Sequence, residues 1–283
     1  MKKNVLKWVN TFALAATVTV NALANILPLG IGSTGAVSEK YANLFTPTGA
    51  TFAIWGIIYL FMTVYVLYGW GLLDKGLTST AVTEKVGLWF ALSCLANIGW
   101  IFAWHFDVIW LSLIFIVGLL LVLARITTTL RKADLMPVDR FAAEFGFGLY
   151  FGWIIAATIA NVSVLLTALK WTGFGLSPVL WTCLVLAVGA AIGGLVAVRT
   201  QRYAPTLGVI WAYVGILLKH IDPEAYAGKH VAVILTAIFG IAWMGVALYA
   251  AKCGRCRKCD CDKPRNPGDS RTSGGPQDSG NAA

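Results

Sequence analysis

The sequence predicts an all-α integral membrane protein, and three observations carry that prediction. Of its 283 residues, 58% are hydrophobic and 12% are charged, where a soluble domain of this size carries about 25% charged residues. The mean hydropathy of +0.73 reflects more apolar surface than one water-facing globule can bury. Apolar runs of about 20 residues, the length that crosses about 30 Å of hydrocarbon, recur along the whole chain.

Eight such runs are expected, at about 6–29, 51–71, 86–106, 108–130, 141–168, 176–198, 203–219 and 230–251. In the first, Ala22-Leu23-Ala24 resembles a signal-peptide cleavage site. The apolar stretch runs on through Ile26, Leu27 and Leu29, which favours a retained span. The third and fourth runs join across Phe106-Asp107, so they must form a tight antiparallel hairpin. From Cys253 to Ala283 the chain turns polar and rich in Gly, Pro, Ser, Asp and Asn. Such a segment buries too little apolar surface to offset its ordering entropy, and a disordered tail is expected there.

Charge placement orients the bundle. With the amino terminus in the cytoplasm, the outer segments hold Lys40, Lys170, Lys219 and Lys229, and the rest of the 22 lysines and arginines fall inside. Basic residues favour cytoplasmic loops, so both termini are expected in the cytoplasm. The net charge of +9 then reflects topology and contact with the lipid bilayer, and needs no nucleic-acid partner.

Several groups invite a chemical reading. Cys253, Cys256, Cys259 and Cys261 lie just past the last span, and four thiolates would suit a tetrahedral zinc ion. Their crowding into nine residues, beside basic side chains, equally suits acylation or an unliganded tail. His105 with Asp107, and His220 with Asp222, Glu224 and His230, fall on the outer side. That set would take a metal or sense pH, and its plainer reading is solvated loop residues. Glu144 follows Arg140 by four residues, the spacing of an interfacial ion pair. Gly148-Leu-Tyr-Phe-Gly152 and Gly189-Ala-Ala-Ile-Gly193 allow close helix approach, in packing or in a homodimer. The chain has no P-loop, dinucleotide fingerprint, HExxH motif or evident Ser/His/Asp set, which argues against an ATP-driven pump or a familiar hydrolase.

The twelve tryptophans are more informative. Trp8, Trp70, Trp89, Trp104, Trp110 and Trp171 fall near span ends, as an aromatic belt would. Trp55, Trp100 and Trp153 sit within spans 2, 3 and 5, each accompanied by a polar residue. At about 1.5 Å rise per residue, Tyr59, Asn97 and Asn161 all lie about 11–13 Å below the outer ends of those spans. A polar group in hydrocarbon is costly unless partnered. The shared depth therefore implies either interhelical hydrogen bonds or an aromatic pocket with a few convergent polar groups.

These residues also carry a family resemblance. Phe45-x-Pro47-x-Gly49-x-x-Phe52-x-x-Trp55-x-x-x-Tyr59-x-x-Met62 resembles the first loop and second helix of the TspO/MBR family of translocator and tryptophan-rich sensory proteins. Asn97-Ile-Gly-Trp100 is similar to its third-helix Asn-x-x-Trp, and Trp153, Ala157 and Asn161 to its fifth-helix signature. The resemblance covers about residues 6–169. It implies a five-helix TspO-like bundle over 1–170, extended by three further transmembrane helices over 171–252 and a basic cysteine-containing tail over 253–283. It further implies a receptor or sensor that binds a porphyrin or similar planar hydrophobic ligand, in what would be a prokaryotic plasma membrane. The alternatives are a transporter of such compounds and a light-dependent porphyrin-degrading enzyme. By the same resemblance, Phe52, Trp55, Tyr59, Asn97, Trp100, Trp153, Ala157 and Asn161 would line or brace the pocket. Phe45, Pro47 and Gly49 would shape its rim. Three departures stand out. Phe52 and Trp55 are one residue closer than the family spacing, the first loop carries no tryptophan, and the residues after Asn161 lack the Tyr and Arg of the proposed sterol motif.

Overall fold

The computed structural model describes residues 3–27, 30–73 and 79–261, with side chains after Cys253 outside that description. The described chain is helical throughout, with no strand. Its helices are α1 (Lys3–Ile26), α2 (Thr34–Lys40), α3 (Ile54–Gly69), α4 (Ser79–Val86), α5 (Trp89–His105), α6 (Ile109–Lys132), α7 (Pro137–Asp139), α8 (Gly146–Ala168), α9 (Pro178–Thr200), α10 (Tyr203–Ile221) and α11 (Val231–Cys261).

Among the described residues, seven helical segments are long and apolar enough to cross a membrane. The third expected span, which is α5, has 17 residues and reaches only about 25 Å. Its limits are set by turns. Gly87 adopts φ +58° just before it, and Asp107 adopts φ +65° just after. Aspartate tolerates this left-handed conformation better than most residues, so Asp107 makes the tight hairpin into α6. At the start of α9 the Ser177 hydroxyl accepts the Leu180 amide at 3.3 Å, and Pro178 occupies the first helical position, where its missing amide costs nothing.

Two buried clusters organise the helices. One gathers α1, α3, α4, α5, α6 and α8 around Tyr65, Phe90, Ile116, Leu123 and Phe147. The other gathers α8, α9, α10 and α11 around Leu186, Val209, Tyr213, Val233 and Met244. They meet along α8, which thus packs on both faces. The α8–α10 crossing is very close, because a Cβ at Gly152 would run into the Pro205 carbonyl and one at Gly208 into the α8 backbone. A Cβ at Gly189 would press on Tyr213, and one at Gly193 on Met244. Both small-residue stripes are therefore spent within one chain, and the homodimer that they suggested loses its sequence argument.

Other expectations are corrected. Glu144 does not pair with Arg140; it forms its ion pair with Arg202. Residues Arg140–Phe145 are π-helical, and the Arg140 guanidinium is turned away from Glu144, its Nε donating to the Leu135 carbonyl at 3.2 Å. The last helix continues to Cys261, so the four cysteines lie on helix rather than at the start of an unstructured tail. Cys253 is exposed and free. The side chains of Cys256, Cys259 and Cys261, and with them the zinc expectation, lie outside the described residues, as does the tail from 262 onward.

Candidate functional site

The three within-span tryptophans come together. Trp55 on α3 meets Trp100 on α5 at 5.7 Å between ring centroids and Trp153 on α8 at 6.2 Å. Phe52 approaches Trp153 edge-on at 6.0 Å, and Trp104 stacks on Trp100 at 5.6 Å. Helical periodicity explains the wall on α8, where Trp153, Ala156, Ala157, Ala160 and Asn161 share one face. The alanines leave room for the rings opposite. These side chains surround a cavity of about 30 Å³, room for roughly two waters. The aromatic faces largely fill the space themselves.

Most of the expected residues line this cavity: Phe45, Pro47, Phe52, Trp55, Trp100, Trp153, Ala157 and Asn161. Tyr59, Asn97 and Gly49 do not. Tyr59 stacks behind Trp55 at 5.6 Å. Asn97, fully buried, accepts from the Asn21 amide at 2.8 Å and donates to the Tyr150 hydroxyl at 2.9 Å. The Tyr59 hydroxyl lies 3.4 Å from its carbonyl oxygen. Asn161 exchanges hydrogen bonds with Ser112 at 3.1 and 3.3 Å. The shared depth holds for Tyr59 and Asn97 but not for Asn161, because Asn97 bonds Tyr150, about 16 Å along α8 from Asn161, while Asn161 bonds Ser112 in the first turn of α6. Asn97 holds α1, α3, α5 and α8 together, and Asn161 joins α6 to α8 and also faces the cavity.

Three of the lining indoles carry the unpartnered polar atoms. The Nε1 atoms of Trp55, Trp100 and Trp153 are all buried and have no hydrogen-bond partner. An unsatisfied buried donor costs about 1–3 kcal/mol, so three around one small cavity are a substantial local debt. A fourth indole, Trp104, is paired, donating to the Thr34 carbonyl at 3.1 Å. Trp104 was expected in the aromatic belt, yet it is buried and supplies, from α5, the aromatic cover that the first loop lacks.

Sequence reasoning also missed the wall opposite α8. Ala212 and Ile216 of α10 line the cavity, as does Ser38 of α2. The first two are an i,i+4 pair with no aromatic or polar tag, and only the glycine-mediated crossing places them there. The same helix straps the rim. The Thr48 amide donates to the Gly215 carbonyl at 3.2 Å, and the Trp211 indole to the Thr51 carbonyl at 2.8 Å. Lys219 pairs with Glu39.

Two of the three histidines, His105 and His220, belong to this framework rather than to solvated loops. His220 is fully buried, donates through Nε2 to the Leu44 carbonyl at 2.8 Å and stacks on Tyr226 at 4.6 Å. His105, also buried, donates through Nδ1 to the Ile101 carbonyl at 2.9 Å. No group of three His, Cys, Asp or Glu side chains among the described residues is placed to hold a metal ion. On the far side of the rim, Asp107 accepts from Lys40 and Tyr41. That bond to Asp107, and then one to Tyr41, raises the Lys40 pKa above its usual value.

A family model described as TSPO-like protein matches residues 7–250 of the chain. The match extends past α8 to include α9, α10 and nearly all of the transmembrane part of α11. No curated protein and no solved structure matches.

Proposed function

The chain belongs to the TSPO-like family, and from that premise we propose that it is a membrane receptor or sensor for a planar hydrophobic ligand of the porphyrin type. The ligand would occupy the aromatic cavity between α3, α5, α8 and α10. The observation that carries this reading is the trio of buried, unpartnered indole N–H groups around a wall that is otherwise almost wholly apolar. Flat aromatic faces stack on a conjugated ring, while the three donors select a ligand that presents acceptor atoms to them. Phe52, Trp55, Trp100 and Trp153 supply the faces. Asn97 and Tyr59 brace the helices that hold those faces, and Phe45, Pro47 and Gly49 form the rim. The distribution of basic residues supports both termini in the cytoplasm, and the cavity would then lie in the outer half of the bilayer.

A cavity of about 30 Å³ is far below the about 300–1,000 Å³ of ordinary ligand sites, so uptake requires the rings to part. Rim residues 39–51 are bonded mainly to α10, and separation of α10 from α8 is resisted by backbone contact at Gly152 and Gly208. Opening therefore proceeds by release of the rim and rotation of Trp55 or Phe52.

The test is an absorbance scan of purified protein for a Soret band, followed by porphyrin titration with tryptophan quenching as the readout. A Trp55→Ala/Trp153→Ala double variant with unchanged affinity would sink the proposal. Illuminating the loaded protein distinguishes binding from light-driven breakdown, and porphyrin uptake into proteoliposomes distinguishes it from transport.

A further inference from the structure

A second cavity, about 300 Å³ in volume, opens at the other end of α8, among α6, α8, α9 and the start of α10. Its charged lining is one-sided: Arg131, Arg199 and Arg202 face a single carboxylate, Glu144. Glu144 is consumed by its ion pair with Arg202, a pair whose side chains are 10% and 25% exposed. Arg131 spends one of its five N–H donors on the Arg199 carbonyl at 2.6 Å. The lining thus keeps two positive charges with no carboxylate to match them. Thr127 and Thr200 also line it, but their hydroxyls already donate to the Leu123 and Val196 carbonyls, and the remaining wall, including Phe151 and Leu195, is apolar. Leu195 is 54% exposed on the outward side of α9, so the cavity is continuous with the surface that lipid covers.

We propose that this cavity is a binding site for a phosphate-bearing anion, held by Arg131 and Arg199 with Arg202 behind them. Guanidinium groups match phosphate oxygens by paired, charge-assisted hydrogen bonds, and basic pockets between transmembrane helices suit anionic headgroups. The π-helical segment is part of the design. It holds Glu144 against Arg202, so that one arginine is fixed and neutralised while the other two stay available. Phosphate chemistry has two sources here, a lipid headgroup whose acyl chain follows Leu195 outward, or free phosphate from the aqueous side.

Native mass spectrometry of the delipidated full chain tests the site. The chain is titrated separately with phosphatidylglycerol, with diacylglycerol of the same acyl chains, and with inorganic phosphate. Retention of phosphatidylglycerol but not diacylglycerol, reduced about tenfold or more in Arg131→Gln/Arg199→Gln, supports a lipid phosphate. The same loss for inorganic phosphate, with no preference for the lipid, supports the free anion. Arg199→Gln alone leaves the Arg131 bond to the main-chain carbonyl intact, and near-ultraviolet circular dichroism of the buried tryptophans reports whether either variant is folded. Equal retention by wild type and both folded variants overturns the proposal, as does diacylglycerol binding as tightly as phosphatidylglycerol.

Discussion

Replacing Asn97 with leucine separates a bracing role from a ligand-binding role. The side chain is fully buried, and leucine keeps its branched shape with bulkier tips, so no cavity opens and any packing strain adds to the loss worked out below. Two well-formed hydrogen bonds are lost, at 2.8 Å to Asn21 and 2.9 Å to Tyr150. The contact with Tyr59 at 3.4 Å is too long to count fully. Interhelical hydrogen bonds in membrane proteins contribute about 0.6 kcal/mol on average and about 1.7 at most, so the two bonds account for about 1–3 kcal/mol. The Asn21 amide retains its bond to the Thr17 carbonyl at 3.0 Å, but the Tyr150 hydroxyl loses its donor, which adds about 1 kcal/mol or more. Asn97→Leu is therefore expected to destabilise the fold by about 2–4 kcal/mol. Unfolding in mixed detergent micelles, followed by near-ultraviolet circular dichroism, measures this. Porphyrin titration of the folded fraction should give an affinity within about threefold of wild type, since Asn97 does not line the cavity. The reasoning is falsified if stability stays within about 0.5 kcal/mol of wild type, or if affinity collapses while stability holds.

Further substitutions probe the other contacts. Trp153→Phe removes an unpartnered indole N–H while keeping an aromatic face, so the unliganded protein should lose little stability while porphyrin affinity drops about tenfold, a hydrogen bond's worth in a dry site. Calorimetry without ligand, beside quenching with it, separates the two effects. Gly152→Ala drives a methyl into the Pro205 carbonyl, and a backbone neighbour cannot swing away. A loss of about 1–3 kcal/mol and weaker ligand binding are expected together, because the α10 wall moves. Arg202→Ala should cost clearly more stability than Arg140→Ala, because only Arg202 pairs with the largely buried Glu144; equal melting temperatures would restore the i,i+4 pairing. His220→Phe keeps the stack on Tyr226 but loses the bond to Leu44, and stopped-flow quenching should show faster ligand exchange as the rim loosens.

The sequence by itself determined what depends on composition and period. Apolar length set the spans, and the positions of Gly and Asp set the turns between them. Helical spacing put Trp153, Ala157 and Asn161 on one face of α8. The shared depth held for Tyr59 and Asn97, which meet, but not for Asn161, because counting residues along each span fixes neither the level at which helices cross nor which way a side chain is aimed around its axis. Rotation is fixed by packing, and packing sent Asn97 into the helix-bracing network and Asn161 to the cavity edge. The pairing of Glu144 with Arg202 across 58 positions of chain was illegible because no local pattern names a distant partner.

Only the tertiary structure decided the part played by α9, α10 and α11. In the sequence they read as an appendage to a five-helix core. In the fold, glycines at 152 and 208 bring α10 against α8 until backbone touches backbone, and Ala212 and Ile216 complete the pocket. Small apolar residues carry no chemical label. Their importance comes from the distance between two helix axes, a property of the assembled bundle that no single segment holds.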